Sequence, residues 1–206
     1  MSENQQNYLS PPAPLTKKGE KTRLHLLNIA EEVFGEKGYF NASIVDITQK
    51  AKVAQGTFYN YFPSKQAIFE ELVRNMSHSF RSEIRNAIKD ASSFEESQRI
   101  GFKTFFSWVK NHKNLYSIVQ QSVLVDENLY RWYYDRLASG YIKGLEEAIG
   151  REEIKDYDTE TIAYCLMGIS QFIGMRWIYW DDQDVPEENF QQAMDFIFHG
   201  LKRLEE

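Results

Sequence analysis

The chain has 206 residues, 42% of them hydrophobic and 26% charged, with a formal net charge of −6. That composition suits a globular protein with a sizeable core and excludes a low-complexity or fibrous chain. No run reaches about 18 apolar residues, so no transmembrane helix is expected, and the single cysteine, Cys165, excludes an internal disulfide and a cysteine-based zinc site.

Residues 1–15 carry Pro11, Pro12 and Pro14 among Gln, Asn and Ser, and read as a disordered tail. They lack the apolar stretch of a secretory signal, so a cytoplasmic location is expected. A first helix then begins with Lys17, Lys18, Lys21 and Arg23 close together. Residues 1–65 hold 8 Lys and Arg against 6 Asp and Glu, whereas residues 66–206 hold 16 against 24. A mildly basic head ahead of an acidic body is the charge pattern of a chain that meets phosphate at one end only. Lys17 and Lys21 are placed to reach backbone phosphates.

The stretch from Gly38 to Lys65 reads as two short helices joined by a tight turn, then a further helix start. Ser43 suits an N-cap, with Asp46 three residues on as its acidic partner. Ile44, Ile47 and Ala51 fall on one face. The turn at Lys52 and Val53 fits only a compact helix-turn-helix. The second helix, about Gln55 to Tyr61, turns Phe58 and Phe62 inward and presents Gln55, Thr57, Tyr59, Asn60 and Tyr61. Amides, hydroxyls and phenols without an acid suit base edges and phosphate oxygens in a major groove. Ser64 then caps a new helix, and Lys65 sits at its start. The dipole disfavours a cation there, which a bound phosphate would explain.

These pieces resemble the TetR (tetracycline-repressor-like) family of bacterial transcription regulators. The matching segments are Ala30 to Tyr39 (AEEVFGEKGY), Ser43 to Ile47 (SIVDI), Val53 to Phe62 (VAQGTFYNYF) and Ser64-Lys65, in order over about 50 residues. Lys52 departs from the glycine usual in that turn. At positive φ a lysine costs roughly 1 kcal/mol more than glycine. The resemblance implies an all-α, homodimeric DNA-binding regulator of a palindromic operator, most often a repressor. From the chemistry of these residues, DNA contacts are expected at Gln55, Gly56, Thr57, Tyr59 and Asn60 in the groove, and at Ser43, Tyr61, Lys65, Lys17 and Lys21 at phosphates.

Beyond Lys65 the chain reads as helical almost throughout. A fourth helix, about 64–89, stripes Ile68, Leu72, Met76, Phe80, Ile84 and Ile88. A fifth spans about 94–112, a sixth about 114–121, and a seventh about 127–150 with Gly150 as its C-cap. An eighth, about 158–180, is capped by Asp158. A ninth begins after Pro186 and ends near Leu204. About nine helices make an all-α protein, divided as a tail (1–15), a helix-turn-helix domain (16–65) and a ligand-binding and dimerisation domain (66–206).

The eighth helix is apolar on more than one side and must bury both. Its face Ile162, Cys165, Ile169, Phe172, Ile173 and Arg176, with Phe190, Met194, Ile197 and Leu201 of the ninth, is expected to pair with its own copy as a four-helix interface, the place where the resembled family dimerises; the alternative is an ordinary monomeric core. A recognition helix this short reads too few base pairs alone, so two heads one DNA turn apart are expected. Cys165 itself reads as a small buried hydrophobe.

The body is rich in aromatics, 30 Phe, Tyr and Trp in the whole chain. Trp108, His112, Tyr116 and Gln120 recur at intervals of four, on one face if helices five and six run on. With Phe105, with Tyr134, Leu137 and Tyr141 of helix seven, and with Met167, Gln171 and Met175 of helix eight, they are the candidate wall of a largely uncharged ligand pocket. A filled aromatic core would look the same in one dimension. His112 also falls at a helix end, where histidine caps favourably. The expected effector is apolar or aromatic, such as an acyl or aryl compound. The alternative is a dimeric DNA-binding regulator that senses no ligand or answers to a protein partner. His25, His78, His112 and His199 lack metal-ligand spacing and there is no glycine-rich phosphate loop, so neither catalysis nor a metal or cofactor is expected.

Overall fold

The computed structural model describes residues 16–201. Among these are nine helices and no strand: α1 (Lys17–Asn41), α2 (Ile44–Lys50), α3 (Gln55–Tyr59), α4 (Lys65–Ile88), α5 (Phe94–Asn111), α6 (Lys113–Val125), α7 (Glu127–Gly150), α8 (Thr159–Gly174) and α9 (Glu187–Leu201). The expected tail at 1–15 and the end of the ninth helix near Leu204 lie outside the described residues. The chain divides into two compact units, one ending at Leu72 and the other beginning at Val73.

In the first unit, α1 to α3 and the start of α4 enclose Leu26, Leu27, Val33, Phe34, Ile47, Phe58, Phe62, Ile68 and Phe69. Phe34 and Phe69 meet edge to face at 5.4 Å, and Phe58 and Phe62 lie 5.7 Å apart, as their spacing of four predicts. Gly38 interrupts α1 with φ 73° and ψ 159°, a conformation open to glycine and costly for any residue with a Cβ. It lets the chain bend before Tyr39 and Phe40. Lys52 indeed takes a positive φ, 56°, in the turn between α2 and α3.

The second unit packs α5, α7 and α8 around Phe102, Phe106, Val109, Ala138, Leu145, Ala163 and Leu166. Two boundaries differ from the sequence reading. Helix six is longer than expected and continues to Val125. Helix eight is α-helical only to Gly174 and ends in a π-helical turn, Met175–Trp180. Gly174 packs closely there: a Cβ would lie 3.0 Å from Phe105 Cε1, so the ring would have to give by a few tenths of an ångström. Surface ion pairs tie α5 and α6 to the segment after the π turn, Lys103 to Glu187 at 3.2 Å and Lys110 to Asp184 at 2.7 Å, with Lys113 to Asp182 beside them.

Candidate nucleic-acid interface and ligand cavity

The head builds its reading surface from local capping. Asp46 N–H donates to Ser43 Oγ at 3.1 Å, while the Ser43 backbone N–H and hydroxyl donate to Asp46 Oδ2 at 2.9 and 2.7 Å. This reciprocal box fixes the start of α2. Lys37 reaches the same carboxylate at 2.6 Å. The Lys37 ammonium, then the Ser43 hydroxyl and amide, hold the Asp46 carboxyl at about 2. Its folded value lies below its unfolded one, so its stabilising contribution is present above the unfolded value of 3.8 and is lost as pH falls toward about 2. Acid titration of the isolated head is therefore expected to show an unfolding component in that window. Asp46→Asn should remove the component and lower the neutral-pH midpoint, followed by circular dichroism.

α3 stands out from the unit as a short exposed element. Gln55, Gly56, Tyr59 and Asn60 are exposed and Thr57 and Tyr61 half-buried, whereas Phe58 is fully buried. Nothing lies within 4 Å of the position a Cβ would take at Gly56, so this side of the helix is clear for a close approach. Lys17 and Lys21 are exposed at the start of α1.

Two of the expected phosphate contacts are engaged inside the protein instead. Lys65 Nζ donates to the carbonyls of Tyr39 and Ala42 at 2.7 and 2.8 Å and lies 4.3 Å from the Tyr39 ring centre. Those carbonyls end α1, where a cation is favoured. The cation at the start of α4 is thus explained by the end of another helix and needs no phosphate there. Burial lowers the pKa of its ammonium. Ser43 spends its single hydroxyl proton on Asp46 and has none to offer a phosphate oxygen.

The second unit brings six of the eleven expected pocket residues together. Phe105, Tyr134, Leu137, Tyr141, Met167 and Gln171 line one enclosed cavity of about 40 Å³, joined by Phe80, Ile84, Tyr133 and Ser170. Burial raises the pKa of the Tyr133 and Tyr134 phenols and pushes that of Tyr141 up to about 12. The phenols therefore stay neutral at physiological pH and offer hydrogen bonds without charge.

The remaining five, Trp108, His112, Tyr116, Gln120 and Met175, do not line this cavity. The continuous stripe over helices five and six fails at His112, with φ −133° and ψ 46°, which ends α5 and precedes α6. Its ring stacks on Trp108 at 4.7 Å, and Nδ1 meets the Trp108 carbonyl at 2.9 Å. His112 thus sits as the C-cap of α5. Trp108 is buried against Phe80, with ring centres 5.0 Å apart. Tyr116 accepts a 2.8 Å hydrogen bond from Gln171 Nε2.

Next to the enclosed cavity lies an open cleft of about 390 Å³. Ile84, Leu137 and Tyr141 belong to both walls. Its rim carries Arg81, Arg85, Arg136 and Lys143, and its lining has no carboxylate. The enclosed cavity itself is lined by uncharged side chains; the charged cleft beside it is unexpected, and no sequence signal gathers these four side chains from α4 and α7.

A third concavity, about 750 Å³ and wide open, lies between α8 and α9, lined by Ile162, Cys165, Ile169, Phe196, Ile197 and Leu201 among others. Cys165 is exposed rather than buried. Phe172 is 65% and Phe196 76% exposed, so this face is unpartnered in the single chain. Ile173 is half-buried and Arg176 exposed, paired with Asp181. Of the expected α9 stripe, Phe190 and Met194 are core residues at 3% and 0% exposure, and Ile197 and Leu201 are buried at the concavity floor. The strongest apolar stripe of a helix faces its own core, and the weaker one, here with Phe196, is left outside.

Comparison with known proteins agrees with this architecture. The model of the bacterial regulatory proteins, tetR family, matches residues 26–72. The HTH-type transcriptional regulator YvdT of Bacillus subtilis is 28% identical over 181 residues, covering 86% of this chain and 92% of that one. The fatty acid metabolism regulator protein of the same organism is 30% identical over 138 residues, covering 65% of this chain and 71% of its own. Among solved structures, FadR from Bacillus subtilis in complex with stearoyl-CoA superposes with a TM-score of 0.77 at 22% identity, covering 86% of this chain and 98% of that chain. Taken with the all-α fold and the helix-turn-helix head, these matches establish that the chain belongs to the tetR family of bacterial regulatory proteins.

Proposed function

We propose that the chain is a homodimeric repressor that leaves a palindromic operator when an acyl compound enters the second unit. The observation that carries this reading is the enclosed cavity of aromatic and aliphatic walls with a few polar tips, Phe105, Leu137 and Met167 beside Tyr134, Tyr141 and Gln171. The relatives support an acyl ligand: one is a fatty acid metabolism regulator, and a structural neighbour holds stearoyl-CoA. In each head, Gln55, Thr57, Tyr59 and Asn60 contact the groove, with Gly56 allowing close approach. Tyr61, Lys17 and Lys21 meet phosphates.

The mechanism is a population shift. α4 supplies Phe80 and Ile84 to the cavity wall and Ile68 and Phe69 to the core of the head unit. A ligand that prefers a tilted α4 changes the spacing of the two heads, which then miss successive major grooves. Release requires tighter binding to the tilted state than to the operator-bound one.

The small size of the enclosed space, about 40 Å³, favours one other reading. Room for about one water is what a filled core leaves, so a regulator that senses no ligand would look the same. Fluorescence anisotropy on a selected operator separates the two. Stearoyl-CoA is expected to release the DNA at concentrations that also raise the melting temperature of the protein. DNA binding indifferent to stearoyl-CoA and to stearate would favour the ligand-independent regulator.

A further inference from the structure

The cation-rimmed cleft is not explained by a purely apolar effector. Net charge favours acidity in this part of the chain, 16 basic against 24 acidic residues over 66–206, yet Arg81, Arg85, Arg136 and Lys143 gather around one cleft that no carboxylate lines. Arg81, Arg85 and Arg136 make no ion pair among the described residues, and Lys143 has only Glu147 at 3.8 Å. Arg81 is oriented by its Nε–H bond to the Ser77 carbonyl at 3.1 Å. Cations brought together without acids repel one another, a cost that a bound anion removes. The spacing of Arg81, Ile84, Arg85 and Ile88 puts them on one face of α4. Gly140 and Gly144 of α7 line the same cleft and face open space, with nothing within 4 Å of a Cβ built at either. Ser97, Gln98 and Ser139 add neutral hydrogen-bonding groups.

We propose that this cleft anchors the phosphorylated head of an acyl ligand. Arg81, Arg85, Arg136 and Lys143 take the phosphate oxygens, and Ile84, Leu137 and Tyr141 form the throat toward the enclosed cavity, whose walls part to admit the tail because about 40 Å³ is far too small for it. Guanidinium groups suit this task because their forked N–H donors match phosphate geometry. Three wall residues shared by a cationic cleft and an apolar cavity define a ligand with a polyanionic end and a hydrocarbon end. The head-group site presupposes the acyl sensor proposed above and adds its chemical selectivity: the head is phosphorylated, not a bare carboxylate. An acyl thioester of a phosphorylated carrier and a phosphorylated monoacyl lipid share that chemistry.

Isothermal titration of the full chain with stearoyl-CoA, 1-stearoyl lysophosphatidate, stearate and coenzyme A tests it. At least one phosphorylated acyl probe should bind more tightly than stearate and than coenzyme A, and which one it is identifies the source. Arg85→Gln combined with Arg136→Gln should weaken that probe about 100-fold, near tenfold for each charged contact, and leave stearate within about threefold. If the double variant melts early, Lys143→Gln and a salt titration of the unaltered protein take its place. Added salt should then weaken the phosphorylated probe far more than stearate. Unchanged affinity in the variants, or equal losses for all probes, would overturn the head-group site and leave the acyl sensor standing. Failure of every acyl probe to bind the unaltered protein would overturn the sensor, and the head-group site with it.

Discussion

Phe172→Asp combined with Phe196→Asp is expected to turn the dimer into a monomer and to lower operator affinity by about 1000-fold or more. Both side chains are largely exposed in the single chain, so the substitutions leave the core of each protomer intact. In a two-fold interface each position occurs twice, so two aspartates per chain put four carboxylates in the seam. Burying unpaired carboxylates costs several kcal/mol each, well beyond what the lost phenylalanine area alone would. A monomer holds one head, and one short α3 reads half a palindrome. Sedimentation equilibrium at micromolar protein and an anisotropy titration on the operator measure the two effects together. A double variant that stays dimeric would move the interface off the α8 and α9 face. A monomer that binds the full operator unimpaired would remove the dimer from recognition.

The second large effect is expected at Lys65. Lys65→Ala should destabilise the head by about 2 kcal/mol or more, because two carbonyls at the end of α1 lose a charged donor at 2.7 and 2.8 Å. Operator affinity then falls through loss of the folded head, and the salt dependence of the remaining binding keeps its slope. A phosphate contact behaves in the opposite way: stability is untouched and the slope falls by about one per contact. Gln55→Ala is the control from the reading face. It should leave the melting curve alone and relax sequence preference at one position of each half-site, at about 1–3 kcal/mol. Denaturant melts of the head beside binding curves at several salt concentrations decide the assignment. A flattened salt slope with an unchanged melt would return Lys65 to the DNA.

The head was legible because its signals are local. Ser43 and Asp46 form their box within three residues, Phe58 and Phe62 face inward at a spacing of four, and Ser64 Oγ accepts from Ala67 N–H at 3.0 Å to start α4. The partner of Lys65 was not legible, because the end of α1 reaches it only through the fold of the unit. Helical spacing also found six residues of the cavity wall. It failed at His112, where a backbone break of one residue turns the following helix away, and this break carries no glycine or proline to announce it. On α9 the spacing selected Phe190 and Met194, whose strong stripe is the core, and passed over Phe196, which is the exposed one. The four cations of the cleft lie on two helices far apart in the chain, and each alone reads as a solvated surface residue.

The most direct test of the central claim is selection of random duplex DNA on the full-length protein at fixed salt, followed by addition of stearoyl-CoA to the selected complex. A ligand-released homodimer predicts enrichment of a palindrome with half-sites about one helical turn apart, and its release on adding the acyl compound. No enriched sequence, or a palindrome held equally with and without every acyl compound tried, would contradict it.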